Sequence, residues 1–214
     1  MNKCIILSVQ PQWLAKILNG EKTIEIRKSM PKCDYPIDVY LYCTKERPCL
    51  VDVRFLPYTT EPDFKIYPSE QVFGTSLNGK IVAKFTLNEV NKYISSSYSE
   101  KYSYYPYYRK ITHKTGSEIK IHDVLNIQTR MCLSEKEFSD YGKGKPLYAW
   151  YIKNLQIFDK PMELRKFYKN GTYLLDDYVY NFYKGTGQDK YANYLLGREL
   201  RKPPQSWCYA YVEV

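Results

Sequence analysis

Histidine is nearly absent from this chain: His113 and His122 are the only two in 214 residues. Neither stands near a Ser or Cys in a recognisable pattern and no G-x-S-x-G occurs, so a hydrolase triad has no support. The six cysteines, at positions 4, 33, 43, 49, 132 and 208, form no C-x-x-C pair. With so few ligands, a zinc site would have to be assembled from scattered residues; no metal and no other cofactor is expected. The glycine motifs "GKGKPL" and "KGTGQDK" lack either the third glycine or the G-K-[ST] ending, which removes a P-loop or Rossmann turn. No apolar stretch approaches the ~20 residues needed to cross a bilayer, so no membrane partner is expected. "MNKCIILSVQ" is too short an apolar run for a signal peptide and is followed by polar residues and Pro11. The expectation is a cytoplasmic protein whose cysteines are reduced thiols.

What is present is positive charge and tyrosine. Lys and Arg number 32 against 23 Asp and Glu, a formal net charge of +9. That balance favours anionic partners, nucleic acid above all; the alternative is a well-solvated basic surface. The excess is spread along the chain, so a folded surface must collect it. The 24 tyrosines are the compositional anomaly. They offer flat, amphipathic area that packs inside or stacks on a ligand. Length and an apolar fraction of 44% suit one globular domain over residues 1–214, large enough to bury a core without staples.

"KCIILSVQ" reads as a buried first strand. "PQWLAKILNG" follows as a short helix, with Pro11 in its first turn and Trp13, Leu14, Ile17 and Leu18 on one face. Gly20 suits the helix stop. "KTIEIRKS" is a second strand, "IDVYLYCT" (37–44) a third, and "GKIVAKFTLNEVNKY" (79–93) a fourth. "SSSYSEKYSYYPYYRK" is biased toward Ser and Tyr with no clean period. Residues 94–145 read as an insertion, with a short helix starting in "SEKEFSDYGKGK" (134–145) and ending in glycines. "LYAWYIKNLQIFDKP" (147–161) returns to strand character, and Pro161 is expected to end it. "MELRKFYK" suggests one or two helical turns. Residues 171–202 read as a second, loop-like insertion, and "PPQSWCYAYVEV" closes the chain as a strand. Strands dominate and helices are short: an α+β fold, a small barrel or twisted sheet with helical decorations.

Three places offer chemistry. Along 22–27, Ile24 and Ile26 alternate with Thr23, Glu25 and Arg27. If the polar side lines a cleft, Lys22, Glu25 and Arg27 supply a proton-transfer amine, an acceptor carboxylate and an oxyanion clamp. If it faces water, it is a solvated strand face with an ion pair. In "PPQSWCY", Gln205 and Ser206 are hydrogen-bonding groups after a rigid proline pair, and Trp207 is either a stacking plane or core. In the cluster Tyr98 to Tyr108, interleaved with Lys101, Arg109 and Lys110, aromatic planes and charges stand together. Single-stranded nucleic acid needs that combination; local packing within a polar insertion is the alternative.

The pieces "ILSVQPQWLAKILNGEKTIEIRK", "GKIVAKFTL", "YAWYIKNLQIFDKP" and "RKPPQSWCYAYVEV" together resemble the ASCH domain family of the PUA-like superfamily. The carrying motif is G-x-K-T-x-E-x-R: Gly20, Lys22, Thr23, Glu25 and Arg27. Paired with the "PPQSW" ending, it is similar to the larger ASCH proteins of bacterial and phage genomes. The resemblance implies a small mixed PUA-like β-barrel with flanking helices, and a basic cleft lined by the K-T-x-E-x-R strand. It implies binding of RNA or a modified-nucleotide-like ligand, through Gln10, Trp13, Lys22, Thr23, Glu25, Arg27, Gln205, Ser206 and Trp207. It also carries an enzymatic alternative, a metal-independent ribonuclease or a modified-nucleoside deacylase using Lys22 and Glu25. The family's small acetylcytidine deacylase uses a Lys, a Thr and a Glu; its Lys matches Lys22, and where its Thr stands this chain has Glu25. A third reading is a phage or mobile-element factor that contacts a protein partner through the two insertions.

Overall fold

The computed structural model describes residues 1–56, 63–68, 74–95, 108–111, 116–117, 127–169 and 199–212. The chain opens with β1 (Asn2–Val9), α1 (Pro11–Leu18), β2 (Ile24–Arg27) and β3 (Ile37–Cys43). Then come β4 (Cys49–Asp52), β5 (Phe64–Tyr67), β6 (Thr75–Ser76), β7 (Ile81–Leu87) and β8 (Val90–Ser95). After β9 (Tyr108–Ile111) and β10 (Gly116–Ser117) follow α2 (Glu135–Gly142), β11 (Leu147–Tyr151) and β12 (Lys153–Met162). A single 3-10 turn (Leu164–Lys166) leads into β13 (Phe167–Tyr168), and β14 (Trp207–Val212) completes the order. These residues fall into two compact units.

The first unit takes Met1–Ala15, Ile37–Phe85 and Leu155–Val214. Its main sheet runs β12-β7-β3-β1-β14-β13, with β1 parallel to β3 and antiparallel to β14. A central strand covered on both faces should be continuously apolar, and β1 is buried from Cys4 to Val9. On one face Cys4 and Ile6 pack with Tyr40, Phe167, Ala210 and Val212. A smaller sheet, β5-β4-β6, covers residues 49–76, where the sequence reading assigned no strand. Burial in this core pushes the Cys4 thiol up to about 12, with Asp38 and Cys208 adding to the rise and Lys84 opposing it. The unfolded chain gives up this proton near the ordinary value of 9.0. The folded-state preference for the neutral thiol is therefore complete below about pH 9 and is lost as pH rises toward about 12. Urea midpoints should fall between about pH 9 and 11, and Cys4→Ala should flatten that fall. An unchanged slope would mean that Cys4 titrates alike in both states.

The second unit takes Lys16–Pro36 and Thr86–Asn154. Its sheet runs β10-β9-β8-β11-β2, so that among the described residues β2 is an edge strand paired with β11 alone. Ile24, Ile26, Tyr93, Leu147 and Ala149 form one face, and Met131 and Phe138 pack onto it. Met131 belongs to a helical stretch at 127–131, and Phe138 to α2. As the sequence suggests, a short helix begins in this stretch and ends among its glycines: α2 follows its N-cap Ser134 and stops at Gly142, where the left-handed C-cap is Lys143, with Gly144 left-handed after it. Ser134 Oγ accepts from the Glu137 amide and the Glu137 carboxylate accepts from the Ser134 amide, a complete capping box.

The fold is mostly β with short helices, as expected; among the described residues none of the three sheets closes on itself. The single strand read over 79–93 is instead two, broken at Asn88 and Glu89, with β7 in the first unit's sheet and β8 in the second's. Pro161 does not end β12, which runs on to Met162. As an edge strand, β12 can spare the missing N–H. "MELRKFYK" yields one 3-10 turn and then β13. Residues 171–198 and Tyr98 to Tyr107 of the tyrosine cluster lie outside the described residues, as do both histidines.

Candidate ligand site

The strand that carries the K-T-x-E-x-R residues is buried on both sides. Ile24 and Ile26 face the second unit's core, yet on the other side Glu25 is only 5% exposed. Lys22 is 3% exposed. The three charges form a line: Lys22 Nζ lies 3.4 Å from Glu25 Oε2, and Arg27 Nη2 lies 3.0 Å from Glu25 Oε1. One carboxylate thus orients an ammonium and a guanidinium. A solvated strand face is the reading this burial does not fit.

Lys22 has a second partner that no spacing in the sequence announces. Its ammonium donates to the carbonyl of Met131. Next to it the Thr23 amide donates to the Arg130 carbonyl, 2.9 Å away. The helical stretch at 127–131 ends there: Cys132 turns left-handed with φ 53°. Its last carbonyls would otherwise lack partners, and a cation is favoured at the negative end of a helix. The same junction is tied a third time by Arg130, whose Nε donates to Thr23 Oγ1 at 3.0 Å. Neither Met131 nor Arg130 was among the residues singled out from the sequence. They lie more than a hundred positions from Lys22, and a side chain reaching a main-chain carbonyl leaves no pattern to read.

Across the β2–β11 register, Glu25 sits opposite Trp150 and Arg27 opposite Tyr148. Trp150 is fully buried, opposite Glu25 in the register. Strand alternation in "LYAWY" was the available signal for it.

The remaining predicted residues belong to the first unit. Gln10 is exposed, donating from Nε2 to Glu46 at 3.0 Å and accepting from Gln12, while its carbonyl starts α1. Trp13 is half-buried on α1. Gln205 is exposed, and the Ser206 carbonyl accepts from the Ser8 amide at 2.9 Å. Ser8 Oγ donates to the Pro204 carbonyl, so the proline pair is pinned to the end of β1. Trp207 is half-buried, edge-on to Tyr209 at 5.5 Å. The structure therefore brings Lys22, Thr23, Glu25 and Arg27 together in one unit and Gln10, Gln205, Ser206 and Trp207 toward one end of β1 in the other. Among the described residues, no group of His, Cys, Asp and Glu side chains is arranged to hold a metal ion. No helix among them is long and apolar enough to cross a membrane.

The ASCH domain family profile matches residues 7–169, and the chain belongs to that family. The match takes in β2 and its charged row and leaves the "PPQSW" ending outside. No curated protein matches the chain. Among solved structures, an ASCH protein from Zymomonas mobilis is similar at 14% identity, covering 96% of this chain and 85% of that one, with a TM-score of 0.45. Two single-site variants of that protein match at 14% identity with TM-scores of 0.45 and 0.44. They cover 97% and 96% of this chain, and 90% and 86% of their own.

Proposed function

We propose that this ASCH-family protein binds RNA or a modified-nucleotide-like ligand, with Lys22, Glu25 and Arg27 as the polar groups that read it. The observation carrying this is the burial of Lys22 and Glu25, ion-paired with each other and with a partly exposed Arg27, along β2 and the residues that lead into it. Taking a charge out of water carries an effective penalty of several kcal/mol per ion, and a buried pair is often no better for stability than apolar side chains of the same size. Such a cluster is more easily understood as chemistry than as scaffolding. Two cations and one anion leave a single positive charge, suited to phosphate or carbonyl oxygens, and Glu25 accepts from a base or ribose donor. The chain's net +9 draws polyanions toward it.

The test is a titration of fluorescently labelled single-stranded RNA across a salt series. Wild type should bind, with log affinity falling by about 0.7 per phosphate contact for each tenfold rise in salt. Arg27→Gln, still folded by circular dichroism, should weaken binding by about 10-fold or more, the loss of one charge-assisted hydrogen-bond donor. Binding that ignores both salt and the substitution would overturn the proposal. Running the titrated RNA on a gel addresses the ribonuclease alternative, which the close Lys22–Glu25 pair favours. Cleavage that disappears in Lys22→Ala would turn the binding site into an active site.

A further inference from the structure

Arg130 is held still and left half-used. Its Nε–H is committed to Thr23 Oγ1, and its guanidinium lies over the ring of Tyr151, 5.4 Å from the centroid. Tyr151 is fixed in turn, its hydroxyl 3.3 Å from that of buried Tyr93. The backbone beneath is clamped as well, since the Arg130 carbonyl takes the Thr23 amide and the neighbouring Met131 carbonyl takes the Lys22 ammonium. Yet the two terminal amines of Arg130 have no acceptor among the described residues, and the side chain is only half-buried. An arginine used purely as a tether would spend its fork on a carboxylate; this one keeps its fork unspent while its Nε–H and its ring contact hold the side chain.

The geometry points to Arg130 as a phosphate clamp: its free fork, with the Thr23 hydroxyl beside it, receives two oxygens of a phosphate group of the ligand. This rests on the nucleic-acid reading above and names a residue for it. Planar bidentate donors match a phosphate better than an ammonium does, and the Nε–H bond to Thr23 together with the cation–π contact to Tyr151 limits how the guanidinium can turn. Little side-chain freedom is left to lose on binding, which is where a preorganised arginine gains affinity. Thr23 sits between this clamp and the Lys22–Glu25–Arg27 row, one residue from Lys22 and two from Glu25. A phosphate at Arg130 would therefore anchor a nucleotide at the start of the same strand. The phosphate is either a phosphodiester within RNA or the terminal group of a free nucleotide.

The experiment compares wild type, Arg130→Gln, Arg130→Lys and Thr23→Val by anisotropy with labelled single-stranded RNA over a salt series, and by calorimetry with nucleoside 5′-monophosphates and their unphosphorylated nucleosides. Arg130→Gln should bind RNA about 10-fold more weakly, and its salt slope should be shallower by about 0.7, the loss of one phosphate contact on a single strand. Arg130→Lys should keep the slope and still lose affinity, because the charge survives and the fork does not. Thr23→Val should also weaken binding. If the phosphate is that of a free nucleotide, the monophosphate should bind wild type more tightly than its nucleoside, and Arg130→Gln should erase the difference. A tether that merely supports the fold would lower the melting temperature and leave slope and phosphate preference alone; that result overturns the clamp while the RNA reading stands. Absence of wild-type binding to both RNA and nucleotides overturns both together.

Discussion

Replacing Glu25 with Ala should destabilise the second unit by about 3–5 kcal/mol, the usual cost of leaving buried charge without its partner. The size follows from the geometry. Glu25 is the shared counter-ion of Lys22 and Arg27, and removing it takes that carboxylate from two cations, one of them 3% exposed. Lys22 keeps the Met131 carbonyl and Arg27 can swing toward water, so the loss should sit within that range instead of doubling it. Urea unfolding followed by tryptophan fluorescence would measure it. Of the three tryptophans, Trp13 and Trp207 belong to the first unit, so Trp13→Phe with Trp207→Phe leaves Trp150 to report the second. A companion variant separates stability from purpose. Lys22→Met combined with Glu25→Leu removes the pair and leaves no buried ammonium, and it should unfold at higher urea than Glu25→Ala. If so, the charged row is dispensable for folding and RNA affinity becomes the property it serves. A loss below about 1 kcal/mol in Glu25→Ala would mean that water reaches the row, and that it is an ordinary surface ion pair.

Much of this architecture can be read from local pattern. β1, α1, β2 and β3 follow from an apolar run, a helical stripe, a positive-φ glycine at residue 20 and a run of β-formers, all decided within a few residues. The α2 start follows from its capping box. The failures have a common cause. Alternation at Ile81, Ala83, Phe85 and Leu87 lapses at Glu89, but distant partners decide that β7 and β8 join different sheets. Strands β4 to β6 depend on pairing with each other. Residues 127–142 were taken as part of an insertion, yet Met131 and Phe138 close the second unit's core. The site divides in the same way. The alternation of charged and apolar residues along β2 was visible, whereas its burial was not. That burial depends on β11, more than a hundred residues onward, and the partners Met131 and Arg130 enter through main-chain carbonyls and a threonine hydroxyl.

Trp150→Ala should be as damaging as the loss of Glu25, by a different route. The indole is fully buried on β11, between Glu25 on β2 and Val90 on β8 in the same cross-strand row. Truncating a buried tryptophan costs about 3–5 kcal/mol, the lost transfer free energy plus the cavity it leaves. Direct cross-strand neighbours stand about 4.5–5.5 Å apart at Cβ, so the cavity would open beside the Glu25 carboxylate. Water admitted there raises the local dielectric and weakens both ion pairs, so the damage should spread beyond packing. Trp150→Phe preserves most of the apolar area and should lose less. The coupling is measurable as a double-mutant cycle. Trp150→Ala and Glu25→Ala together should destabilise by less than the sum of the singles, with an interaction of about 0.5–3 kcal/mol. Strict additivity would mean that the indole supports the sheet without shielding the charges, and the low exposure of Glu25 would then need another source.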